Sequence, residues 1–256
     1  MRSFIAFTKK ELLGELRSGR LFILFSLFIL IGIMNPAIAK LTPWLIEAFA
    51  DSLKESGMII TDVSITALDS WMQFYKNMPI VLILFVLLES SIFTREYTSG
   101  TLIVSLTNGF NRCKIVLSKS ALLLSFWTIG YFLCFGITYL YNDFFWDNSI
   151  AKNLFFSVLC WWIFGFFVIS LIPLFSSFSS ANSSVLIGVG GVILALYVLG
   201  LIPKLNKYLP IALTSGNSLI YGANAPEDYV SAILIAAVLS LACLAANILI
   251  FKKRQT

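Results

Sequence analysis

Six apolar runs, at residues 21–39, 71–93, 115–140, 154–174, 185–202 and 229–251, constrain this chain more than any other feature. Each has roughly the 20 residues that carry a helix across the hydrocarbon core of a bilayer. In that medium the backbone must satisfy its own hydrogen bonds, which a helix does and an open strand does not. Hydrophobic residues make up 59% of the sequence and charged residues 12%, about half the charged share of a soluble domain. The chain therefore reads as an all-α polytopic membrane protein, a single domain over 1–256 with six transmembrane helices.

Composition also narrows the chemistry. Histidine is absent, which removes the commonest general base and metal ligand and disfavours metalloproteases, Ser-His hydrolases and haem carriers. Cys113, Cys134, Cys160 and Cys243 include no close pair, so neither a structural disulfide nor a metal site is expected. The net charge of +5 is spread over several short loops rather than gathered on one face, which argues against a nucleic-acid partner.

Before the first run, Arg2, Lys9, Lys10, Arg17 and Arg20 are interleaved with Phe4, Ile5, Leu12, Leu13 and Leu16. At about 100° per residue those apolar positions mostly share one face, as in a helix lying on the inner leaflet, although Phe7 and Lys9 interrupt the pattern. Asn35-Pro36, Lys40 and Pro43 are expected to end the first span. Ala37-Ile38-Ala39 after a basic leader also fits a signal-peptide cleavage pattern, so retention and cleavage of this span both stand. Residues 40–70 are net acidic and read as the largest external loop. A short surface helix is expected at 44–53, its acidic residues forming a solvated face.

The stretch 91–119 is the polar hub of the chain. Arg95 and Glu96 close the second run, Gly100 and Thr101 allow a bend, and Asn108-Gly109 makes a turn. Arg112, Lys114 and Lys119 then charge the start of the third run, with a short interfacial helix expected between the two spans. Placing this loop and both termini in the cytoplasm puts 12 of the 18 Lys and Arg inside and 9 of the 13 Asp and Glu outside. That distribution satisfies the positive-inside rule.

An acidic residue, a Gly-Thr pair, a short helix, a turn and then basic residues, at Glu96, Gly100, Thr101, Arg112 and Lys119, resemble the ABC-2 (type V) permease family of ATP-driven exporters. The layout is similar along nearly the whole chain: an elbow helix at 1–20, six spans, a coupling loop at 94–114 and a broken external hairpin at 203–228. The resemblance implies that Arg95, Glu96, Gly100, Thr101, Leu102, Arg112 and Lys114 dock on a separate ATP-binding cassette subunit. It further implies that ATP and Mg bind on that partner with no cofactor held directly, and that two permease copies or paralogues form the path. The setting it implies is a bacterial-type plasma membrane with both termini cytoplasmic. No G-x-x-x-x-G-K-[ST] stretch occurs, so ATP hydrolysis is assigned to the partner and this chain is not read as an enzyme.

Spans rich in Phe and Leu and nearly free of charge suit an amphipathic peptide, a drug or a lipid as passenger. Glu89 is the one carboxylate placed within a span. It is read either as a proton- or ion-coupling group or as a residue within snorkelling reach of the interface that pairs with Arg95 or another basic residue. The alternative function is accordingly an ATP-independent secondary transporter or channel using Glu89, although no internal repeat supports an inverted-repeat design. A membrane enzyme would need paired catalytic groups that the sequence lacks. Gly188, Gly190 and Gly191 either allow close helix approach or line a pore, and the aromatic cluster from Tyr139 to Trp146 reads as an interfacial belt.

Overall fold

The computed structural model describes residues 2–48, 64–99, 112–179 and 181–253. Gly100, Thr101, Leu102 and the Asn108-Gly109 turn lie outside the described residues, as does most of the acidic loop after residue 48. Helices α1 (Arg2–Arg17), α2 (Arg20–Ala48), α3 (Ala67–Glu89) and α4 (Ser91–Ser99) are followed by α5 (Arg112–Phe145), α6 (Leu154–Phe178) and α7 (Asn182–Gly200). Short helices α8 (Pro203–Asn206) and α9 (Gly216–Ile220), mixed with 3₁₀ turns, precede α10 (Val230–Lys253). Among the described residues there is no strand, and six helices are long and apolar enough to cross a membrane.

Successive long helices run antiparallel. Helix α1, the start of α2, the end of α3, α4 and the start of α5 therefore meet at one end, here called basal. The short helices gather at the opposite, apical end. Helix α2 packs on α3 and α5, α10 packs on α6, and α5 and α6 join the two groups.

Large rings seat in glycine notches between these helices. A side chain at Gly130 would collide with Phe28, one at Gly165 with Trp127, one at Gly188 with Phe175 and one at Gly216 with Tyr75. Removing side-chain bulk lets apolar helices approach where no hydrophobic effect drives them together. Gly188 thus serves close approach, whereas Gly190 and Gly191 have no atom within 4 Å of an added Cβ. A file of rings, Phe85, Trp127, Tyr131, Phe74 and Trp71, links α3 to α5, with centroids 5.2 Å apart at Trp127–Tyr131 and 6.0 Å at Phe74–Tyr131. The indole and phenol groups find acceptors, as at Tyr131 Oη to the Val158 carbonyl (2.8 Å) and Trp127 Nε1 to the Trp162 carbonyl (3.2 Å).

Two sequence expectations need correction. Helix α2 does not end near Asn35-Pro36 but contains both Pro36 and Pro43 and runs to Ala48, absorbing the start of the surface helix expected at 44–53. The reason is local. Pro36 has no N–H for the Gly32 carbonyl, and Thr138 Oγ1 of α5 donates to that carbonyl instead at 3.0 Å. Asn35, fully buried, donates to the same hydroxyl oxygen (3.1 Å) and accepts from Asn77 of α3 (2.8 Å), so the proline sits in a polar clamp of three helices.

Helix α1 is compatible with a position along the membrane surface. It buries Phe7, Glu11 and Glu15 against the bundle and leaves Ile5, Leu13 and Leu16 exposed. The apolar stripe therefore faces outward, and the residue that seemed to interrupt it, Phe7, heads the packed face. The second correction concerns the aromatic cluster: Phe144 is 80% exposed, but Tyr139 turns inward against Phe135 and Phe155.

At the apical end the broken stretch from Pro203 to Tyr229 folds back into the bundle. Ile211, Leu213, Leu219 and Ile220 are buried, and Trp161 of α6 donates to the Thr214 carbonyl at 2.9 Å. Trp161 lies seven residues into α6, about 10 Å below its apical start at 1.5 Å per residue, so the broken backbone reaches well inside the helical ends.

Candidate functional site

The densest set of charged contacts among the described residues lies at the basal junction, where five helices meet. Positions 7, 11 and 15 recur every four residues and so fall on one face of α1, which delivers two carboxylates to the bundle. Lys119, two turns into α5 and only 1% exposed, donates from Nζ to Glu11 Oε2 at 2.6 Å and to the Ile92 carbonyl of α4 at 2.8 Å. One ammonium thus ties α1, α4 and α5 together. Beside it the Thr8 and Ser118 hydroxyls share a hydrogen bond of 2.7 Å between α1 and α5. Arg20, at the head of α2, donates to Ser91 Oγ of α4 at 2.6 Å, and Arg95 Nη1 stands 3.8 Å from Glu15 Oε1.

Glu89 closes α3 within this junction. It is fully buried, with neither carboxyl oxygen hydrogen-bonded. The expected pairing with Arg95 is not formed, because Arg95 reaches Glu15 instead.

Burial pulls the Glu11 carboxyl upward, but the ammonium groups of Lys119 and then Lys10 outweigh it and hold the group below its ordinary value of 4.5. The folded value being the lower one, the stabilisation is fully present above 4.5 and is lost as pH falls through the folded value. The thermal midpoint should therefore drop on acidification below 4.5. Glu11→Gln should flatten that limb, and a titration of midpoint against pH for both proteins checks it.

Of the residues singled out from sequence, Arg95, Lys119 and Glu89 lie in this junction. Glu96 belongs to α4, Arg112 begins α5, and Lys114 is exposed two residues on. The junction thus sits where the chain leaves α4 at Ser99 and re-enters α5 at Arg112. Sequence reasoning missed Glu11, Glu15 and Arg20 as its members. A signal was present: Lys119 lies inside an apolar run, and a buried ammonium calls for a carboxylate, of which the first 20 residues offer two.

A second feature is an apolar cleft of about 250 Å³ lined by Pro79, Leu82 and Val86 of α3, Trp161 of α6 and Val189 and Ile193 of α7. Gly190, with no side chain, forms part of its wall. No model of a known protein family matches the chain, and no curated protein matches it significantly.

Proposed function

We propose that this chain is the membrane-spanning permease subunit of an ATP-binding cassette exporter, forming the translocation path as a dimer and driven by separate ATP-binding subunits. The observation that carries the reading is the basal junction. A push on the segment between α4 and α5 acts on Arg95 and Ile92, which are tied through Glu15, Glu11 and Lys119 to α1 and α5, and through Ser91 to Arg20 of α2. Nucleotide closure on a partner docked at 94–114, with ATP and Mg held there, is thereby geared to three helices at once. The basic basal end, carrying the loop and both termini, faces the cytoplasm of a bacterial-type plasma membrane. The apolar cleft beside Pro79 and the weakly charged helices suit an amphipathic peptide, a drug or a lipid as passenger.

Gentle purification of the tagged protein from its native membrane, followed by mass spectrometry, tests this. The expected result is a near-stoichiometric ATP-binding protein that is lost when residues 100–111 are replaced by a Gly-Ser linker of equal length, together with export but not membrane insertion. A chain that purifies alone and moves solute in vesicles without ATP would overturn it in favour of a secondary transporter using Glu89.

A further inference from the structure

Glu89 has no part in the gearing just described, and its surroundings give it a separate role. The charged groups whose fields reach it are Glu15 from α1, Arg20 from α2 and Arg95 from α4. Both cations are engaged elsewhere, Arg20 on Ser91 at 2.6 Å and Arg95 towards Glu15 at 3.8 Å. On α5 the ammonium of Lys119 is committed to Glu11 and Ile92. Helix α6, which packs against α3 and α4, contains no charged residue. Glu15 adds a second carboxyl whose Oε2 is also buried and unbonded.

A bare carboxylate without a hydrogen bond or a counter-ion in contact is among the costliest groups to bury, and the usual escape is to neutralise it. A metal ion does not answer the need: among the described residues no three Asp, Glu, Cys or His side chains converge to hold one. A proton does, requiring no space and no further ligand.

We propose that Glu89 is a proton-binding site: its carboxyl carries a proton in the closed arrangement seen here and loses it when α1 and α2 draw away from α3 and α4. On opening, the O–H bond breaks, the proton passes to basal water, and the carboxylate left behind is solvated by that water. Each opening then releases one proton, and by linkage a lower pH on the basal side holds the junction shut. This inference stands whether or not the exporter reading does.

The test uses the full chain alone, in nanodiscs of phosphatidylethanolamine and phosphatidylglycerol, near neutral pH. Infrared spectroscopy of the wild type should show the carbonyl stretch of a protonated carboxylic acid. The band should vanish in Glu89→Gln and persist in Glu15→Gln. Because glutamine mimics the neutral acid in size and charge, Glu89→Gln should also keep the wild-type thermal midpoint. Absence of the band in the wild type, its loss in Glu15→Gln alone, or a Glu89→Gln protein that unfolds or melts markedly lower would each overturn the proposal.

Discussion

Lys119→Met is expected to lower the free energy of unfolding by about 3–5 kcal/mol, the cost of stripping one partner from a buried ion pair, and to release α1 from the bundle. The ammonium is 1% exposed and Glu11 9%, so water cannot replace the lost partner. The Ile92 carbonyl loses its donor as well. If the effect arises from a carboxylate left with only the exposed Lys10 at 3.3 Å rather than from lost packing, Glu11→Leu combined with Lys119→Met should recover most of it, since apolar replacement of a whole buried pair is often neutral. Thermal unfolding of the two proteins, with thiol labelling of a cysteine at Thr8 on a background lacking the native cysteines, reads both effects. A single variant that loses less than about 1 kcal/mol, the scale of an exposed pair, would sink the idea.

Gly165→Val should cost about 3 kcal/mol, the upper part of the range for overpacking a filled core. A Cβ there overlaps the Trp127 indole, which is fully buried and ringed by Phe28 at 6.0 Å, Phe85 at 5.7 Å and Tyr131 at 5.2 Å. The ring cannot swing aside without breaking its bond to the Trp162 carbonyl, which adds the penalty of a buried unsatisfied donor. Trp127→Phe should partly rescue the substitution by vacating the notch. Gly191→Ala, where nothing lies within 4 Å, should instead raise the midpoint slightly, alanine being the better helix former by about 1 kcal/mol. Equal losses at Gly165 and Gly191 would show that helix propensity, not ring packing, governs these positions.

The six spans were legible because length and apolarity alone suffice to mark a crossing helix. Their ends were not. Pro36 reads as a terminator only if its freed carbonyl goes unbonded, and the hydroxyl that bonds it, on Thr138, is about a hundred residues away in sequence. Which face of α1 meets the bundle was not legible for a related reason. Periodicity shows that two stripes exist, but not which of them meets protein when the alternative surroundings are equally apolar. Glu89 could be singled out because it stands against an apolar background, and Arg95 because it marks where the second run gives way to the polar hub. Their relation could not, since Arg95 is claimed by Glu15 from a helix that the sequence presents as a surface anchor. The coupling positions Gly100, Thr101 and Leu102 lie outside the described residues, and the docking role rests on the functional test above.

The bond between Glu11 and Lys119 spans 108 residues, and that separation bears on biogenesis. A ribosome delivers α1 first, so the acidic stripe is already in place when the third long helix emerges with a lysine embedded in its apolar run. Newly made α5 would otherwise have to hold an uncompensated ammonium during insertion. The N-terminal helix is thus made in time to supply the partner charge for a segment made long after it, and a chain synthesised without its first 17 residues should insert its third span less readily.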